Sequence, residues 1–308
     1  MSKFEGLIAA PFTPMDKQGE VILDLIPEYY NFLEKNKIVG AFINGSTGEG
    51  VSLSQKEKMN VVEKWTDVSK RQKTVKIINL VGGTSYKECI ENAQHAAEHG
   101  VHAIALLAPY YFKPAGAKQL AEFCAIVAAA VPDTPVFFYH IPVLSGCFVA
   151  MYDFLQEAAP IIPNLAGIKY THEDFMDFLS CLHFMDGKYD MMWGRDENML
   201  SALVLGTRSA VGSTFNYAAP LYYQMIAAFD KGDLVLARKL QQMSIDMIRL
   251  LGKYGGIATG KAYMKYIGFD LGQFRLPVKS MPGESYQKFV EDVKTLDMQL
   301  LFSEMNIR

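Results

Sequence analysis

Short apolar runs recur along the first two-thirds of the chain: GLIAAPF, VGAFING, KIINLVG, AIALLAP, VFFYHIP, LAGIKY, YDMMWG and SAVGST. They are continuous rather than alternating, the pattern of strands covered on both faces in a parallel sheet. Longer segments of helical periodicity separate them. Two of these open on Ser-x-x-Glu, Ser54 with Glu57 and Ser85 with Glu88, the spacing of a capping box. Strand then helix, eight times in roughly 220 residues, predicts an α/β fold of the (β/α)8 TIM-barrel type. The pattern then turns wholly helical. Leu236, Leu240, Met243, Met247 and Leu250 share one helix face, Gly255-Gly256 interrupts, and Tyr286 pairs with Phe289, Val290 and Val293. The expected division is residues 1–230 as the barrel carrying the active site and 231–308 as a helical extension packed on it. A doubly wound open sheet competes, but no strand is followed by G-x-G-x-x-G and the chain has no P-loop.

Composition narrows the function. The chain has 308 residues, 50% hydrophobic and 20% charged, which suits a globular protein rather than a disordered one. Its 30 Lys and Arg against 33 Asp and Glu form no long run of either sign, so neither a nucleic-acid nor a polybasic membrane partner is expected. Cys89, Cys124, Cys147 and Cys181 lie far apart without C-x-x-C and read as reduced core thiols. Glu5, Pro11 and Pro14 leave no room for the apolar core of a signal peptide. The richest apolar run, Ala121 to Val131, is broken by Glu122 and is too short to span a bilayer. A soluble, cytoplasmic protein is the expectation.

In a TIM barrel the chemistry sits where the strands end, so the polar residues closing each apolar run are the candidates. They are Thr13; Ser46, Thr47 and Glu49; Tyr110 and Tyr111; Tyr139 and His140; Lys169 and Thr171; Gly194, Asp196 and Glu197; Ser213 and Thr214. Lys169 is the sharpest. At the end of Leu165-Ala166-Gly167-Ile168 an ammonium loses hydration and its pKa falls, and a neutral amine there is the nucleophile that forms a Schiff base with a ketone. The bland alternative is a lysine that snorkels to water or pairs with an acid. Gly45-Ser46-Thr47-Gly48-Glu49-Gly50 offers free backbone N–H groups and two hydroxyls to a small carboxylate, or is simply a tight β-to-α turn. Tyr139 is either a proton relay or an amphipathic rim residue. Thr171 either contacts substrate or, with Asp174, caps the next helix.

Two further patterns are set aside. His95-Ala96-Ala97-Glu98-His99 matches H-x-x-E-H, but on a helix of the outer ring with no evident third ligand. No metal ligand set is therefore expected. Asp196 and Glu197 are adjacent, whereas a glycosidase pair must flank one bond, so polyol hydrogen bonding suits them better.

GSTGEG after strand 2, APYYFKP after strand 4, YHIPVLSG around strand 5, GIKYT at strand 6, WGRDE at strand 7 and VGSTFNY at strand 8 occur in order from about residue 4 onward. Together they resemble the N-acetylneuraminate lyases, within the Schiff-base pyruvate aldolase superfamily that includes dihydrodipicolinate synthase. The resemblance implies that Lys169 forms the imine, that Tyr139 shuttles the proton, and that Ser46 and Thr47 hold the pyruvate carboxylate. It places Thr171, Gly194, Asp196, Glu197 and Ser213 on the sugar tail. It also implies that Tyr111 reaches a neighbouring subunit's site in a homotetramer built as a dimer of dimers. Dihydrodipicolinate synthases carry an arginine after the Y-x-x-P core, whereas here Tyr139-His140-Ile141-Pro142-Val143 is followed by Leu144. Tyr170 and Arg195 depart from the pattern.

The implied activity is reversible cleavage of N-acetylneuraminate to pyruvate and N-acetylmannosamine, with small-molecule substrates and no metal or organic cofactor. The base at the C4 hydroxyl is expected to be Tyr139 assisted by the substrate carboxylate. The alternatives are a 2-keto-3-deoxy sugar-acid aldolase, a dihydrodipicolinate synthase, or a non-catalytic barrel that senses keto acids or sialic acid.

Overall fold

Eight parallel strands close on themselves in chain order in the computed structural model, which describes residues 3–305. They are β1 Gly6–Ala9, β2 Gly40–Ile43, β3 Lys76–Leu80, β4 Ala103–Leu107, β5 Val136–His140, β6 Leu165–Tyr170, β7 Asp190–Trp193 and β8 Ser209–Gly212. The closing pair aligns Gly6 with Ser209 and Ala9 with Gly212. The barrel helices are α1 Ile26–Lys35, α2 Gln55–Gln72, α3 Tyr86–Glu98, α4 Ala117–Ala128, α5 Pro142–Ser145, α6 Met151–Ala158, α7 Phe175–His183, α8 Met199–Leu205 and α9 Phe215–Asp230. Three more follow: α10 Leu234–Tyr254, α11 Thr259–Tyr266 and α12 Gly283–Thr295. The TIM barrel and its C-terminal helices are as the pattern predicts.

Strand parity sorts the core into two layers. Ile8, Phe42, Ile78, Ala105, Tyr139, Met192 and Val211 form an inner cluster, while Leu7, Ala41, Ile77, Ile104, Phe138 and Ile168 pack outward against the helices. Phe4 plugs the lower end, its ring centroid 6.2 Å from that of Phe137. Both faces are thus apolar, which is why the runs show no alternation.

Local chemistry sets several element ends. Ser54 and Glu57 form a complete capping box on α2, and the Ser85 hydroxyl accepts the Glu88 N–H at 3.4 Å on α3. Thr171 does not cap α7: Asp174 does, its carboxylate accepting the Asp177 N–H at 3.0 Å. Inside α9, Pro220 accompanies a kink at Ala218, whose φ is −137°. The fully buried Asn216 donates to Ala10 O and Ser213 O, both at 2.8 Å, and accepts from Tyr29, tying the ends of β1 and β8 together.

The apolar stripe of α10 is displaced from its predicted position. Leu236 is exposed and Met243 and Leu250 half-buried, while Ala237, Gln241 and Ser244 join Leu240 and Met247 in the interior. Two of these are polar because they have partners at the mouth of the barrel. All four cysteines are free and buried. Among the described residues no helix is long and apolar enough to cross a membrane.

Candidate active site

At the C-terminal end of the barrel lies a cavity of about 230 Å³. Its lining includes Ser46, Thr47, Tyr139, Lys169, Thr171, Gly194, Asp196, Glu197 and Ser213. Nine of the ten residues to which the family resemblance gives a role therefore converge, with Thr214 beside them. The tenth, Tyr111, lies outside this cavity, 77% exposed and packed edge-on against Phe112.

Lys169 is the inward residue of β6, in register with Tyr139 on β5 and Met192 on β7. Its Nζ sits 4.1 Å from the centroid of Phe42 and 4.0 Å from that of Tyr139. Two aromatic faces replace water around an amine that makes no ion pair among the described residues. Burial lowers its pKa to about 7, against the opposing pull of the Asp196 carboxylate. Lys169 is therefore neutral in a large fraction of molecules near neutrality.

Asp196 is also buried, and burial raises its pKa to about 7 although two hydrogen bonds from Thr214 favour the anion. The Thr214 N–H and hydroxyl reach Asp196 Oδ2 at 2.9 and 2.6 Å. Glycines make the room: a Cβ on Gly212 would lie 2.2 Å from Asp196 Oδ1, and one on Gly194 would lie 2.0 Å from Thr171 Oγ1. The Thr171 hydroxyl is buried and makes no hydrogen bond among the described residues.

The Tyr139 hydroxyl lies 3.5 Å from Ser46 Oγ, and burial pushes its pKa up to about 12. The phenol therefore enters any reaction holding its proton, a donor first and a base only after giving that proton up. Below it, the Glu49 and Gly50 N–H groups fold back on Ser46 O and Gly45 O, whereas no backbone carbonyl of the described residues takes the N–H of Ser46, Thr47 or Gly48. Those N–H groups and the two hydroxyls form an anion cradle. His140 points away from the cavity, between Tyr170 and His172, and burial lowers its pKa to about 3.

Arg195 also lines the cavity, but its guanidinium is taken by Glu197 at 2.6 Å and Glu173 at 3.0 Å. Leu144 also lines the cavity. Several contributors carry no sequence signal. Phe42 sits in an apolar run that hides its inward parity. Ile248 of α10 and Ile257 beyond it line the cavity, and Gln241 and Ser244 donate to Asp196 O at 3.2 and 3.4 Å.

A neutral amine between two aromatic rings, an anion cradle and a hydroxyl-rich wall together make the site of a Schiff-base aldolase. The chain belongs to the dihydrodipicolinate synthetase family, whose profile matches residues 3–296. The N-acetylneuraminate lyase of Homo sapiens is 38% identical over 307 residues, 98% of this chain and 95% of that protein. The structure of Proteus mirabilis N-acetylneuraminate lyase superposes with a TM-score of 0.93 at 36% identity, over 96% of this chain and 99% of that one. That of the Aliivibrio salmonicida N-acetylneuraminate lyase gives 0.93 at 35%, over 96% and 98%. This protein is an enzyme of the lyase class, acting on small molecules.

Proposed function

We propose that this enzyme reversibly cleaves N-acetylneuraminate to pyruvate and N-acetylmannosamine. The observation that carries the reading is the buried amine of Lys169, its pKa brought down to about 7, facing the Ser46–Thr47 cradle. The names of the relatives above support the sugar acid, as does Leu144 in place of a guanidinium. The pairing of Arg195 with two carboxylates also speaks against an acidic aldehyde.

In the proposed sequence, neutral Lys169 adds to the C2 ketone of the open-chain sugar while Ser46 and Thr47 hold the carboxylate. The Tyr139 phenol gives its proton to the departing hydroxyl, releasing water and leaving a phenolate beside the iminium. The phenolate then takes the C4 hydroxyl proton. The C3–C4 electron pair flows into the iminium, forming an enamine and freeing the aldehyde. C3 of the enamine regains a proton from Tyr139, and water hydrolyses the pyruvate imine. Asp196, Glu197, Thr171 and Ser213 hold the polyol, with Gly194 providing space. None of these steps draws on a metal or an organic cofactor.

The domain division belongs to the same reading: residues 1–230 as a barrel bearing the reacting groups and 231–308 as an extension that braces them. So do a cytoplasmic location and a homotetramer in which Tyr111, exposed on its own subunit, completes a neighbour's site.

Borohydride reduction in the presence of pyruvate tests the centre of the proposal. It should inactivate the enzyme and place one reduced pyruvate on Lys169. The protein should release pyruvate from N-acetylneuraminate and should not condense pyruvate with aspartate semialdehyde. The reverse preference would reassign it as a dihydrodipicolinate synthase, and tight sugar binding without turnover as a sensor.

A further inference from the structure

On the outer ring, far in the fold from the barrel mouth, α2 and α3 lie side by side. Glu63 of α2 meets His95 in the last turn of α3, Glu63 Oε1 lying 3.0 Å from His95 Nε2. His99, one turn on, closes α3, and its ring centroid is 4.2 Å from that of His95. Each of the three residues offers a ligand atom within 4.8 Å of the other two. We infer that Glu63, His95 and His99 form a binding site for a borderline divalent transition ion of the zinc class.

Three features support this. Histidines at i and i+4 share one helix face, so one ion reaches both imidazoles. His99 Nδ1 already pairs with the His95 carbonyl oxygen at 2.9 Å. That bond puts the proton on Nδ1 and leaves Nε2 as a bare lone pair, the orientation that second-shell hydrogen bonds give to metal-ligating histidines. Around a tetrahedral zinc with bonds of roughly 2.0–2.2 Å, ligand atoms stand about 3.3 Å apart. The ion enters between Glu63 and His95 by displacing the proton that His95 Nε2 donates to the carboxylate, the neutral ring then carrying its proton on Nδ1, which has no partner among the described residues, and by widening the contact a few tenths of an ångström. Two imidazoles and a carboxylate suit zinc, nickel or copper rather than magnesium, and water completes the shell.

The acid of the H-x-x-E-H pattern, Glu98, takes no part. The carboxylate comes from 32 residues before His95, on the neighbouring helix. The bound ion would clamp α2 to α3 and stabilise the barrel wall by mass action.

Chelator-treated protein titrated with zinc chloride by calorimetry, with the melting temperature read in parallel, tests the site. The unvaried chain should bind one zinc here and melt at a higher temperature in excess zinc, with no rise in magnesium chloride. His99→Ala should lose that equivalent and the rise. Glu63→Gln should bind about tenfold more weakly or worse, at least the loss seen when a supporting partner alone is removed. Glu63 is exposed, so its variant carries the test if His99→Ala fails to fold. No zinc binding by the unvaried chain, or variants that bind as it does, overturns the inference.

Discussion

Lys261 Nζ lies 3.0 Å from Glu49 Oε1, and each side chain is only 3% exposed. Glu49 belongs to the turn that carries Ser46 and Thr47, where its φ is +57°, and Lys261 to α11 of the C-terminal extension. The second carboxylate oxygen accepts the Arg275 N–H at 2.7 Å, and Lys261 also donates to Gln273 O. The C-terminal segment is thus tied to the turn that carries Ser46 and Thr47. Breaking such a pair strands a buried charge, so Lys261→Met should cost about 3–5 kcal/mol in denaturant melts. Glu49→Gln in the same chain should recover part of that loss, giving a coupling energy well above zero in a double-mutant cycle.

Imine formation needs the neutral amine. With the Lys169 pKa at about 7, borohydride trapping of pyruvate should rise with pH and reach half its maximum near pH 7. The Asp196 carboxylate favours the ammonium, so Asp196→Asn should move this midpoint to lower pH. A midpoint near the ordinary lysine value of about 10.4 would mean that the site is wetter than its aromatic walls imply.

Gly212→Ala should separate the two halves of the substrate. Its Cβ would meet Asp196 Oδ1 at 2.2 Å and displace the carboxylate from its Thr214 partners. KM for the sugar acid should rise by about tenfold or more, the cost of roughly one charge-assisted hydrogen bond, while pyruvate trapping on Lys169 stays close to normal. Equal losses would show that Asp196 serves the amine rather than the sugar.

Gln241 reaches the same carboxylate segment from α10, its Oε1 accepting the Leu200 N–H at 2.8 Å and its Nε2 donating to Asp196 O. Gln241→Ala leaves both backbone groups without this partner and should destabilise the chain by about 1–3 kcal/mol, raising KM for the sugar more than it lowers kcat. Gln241→Glu keeps the acceptor and loses the donor, so its KM should fall between the two.

Tyr111 makes no contact with its own cavity, so Tyr111→Ala should leave pyruvate trapping intact in a monomer and alter turnover only in the assembled enzyme. Specific activity should fall on dilution below the assembly constant, as read by sedimentation and initial rates together. A fully active monomer would return Tyr111 to a rim residue of its own barrel.

The order of elements was legible in the sequence because burial on both faces makes parallel strands continuous apolar runs, most of them followed by polar residues. Lys169, Tyr139, Asp196 and their neighbours were legible for the same reason: they are the polar residues that interrupt apolar segments. Continuity also conceals parity. Nothing in Ala41-Phe42-Ile43 says that Phe42 alone turns inward to face the amine, and that choice belongs to the closure of the barrel. Nor does helical periodicity foretell that Gln241 and Ser244 are buried in place of Leu236, since a polar residue is accepted inside only where a distant partner waits, here the Asp196 carbonyl. The meetings of Glu49 with Lys261 and of Glu63 with His95 join residues 212 and 32 positions apart. Spacing determined the fold, and the strand ends together with the family resemblance singled out the candidate groups. Only the tertiary structure decided the pKa-shifting surroundings of those groups, because desolvation and charge coupling act through distances in space that the linear order does not encode.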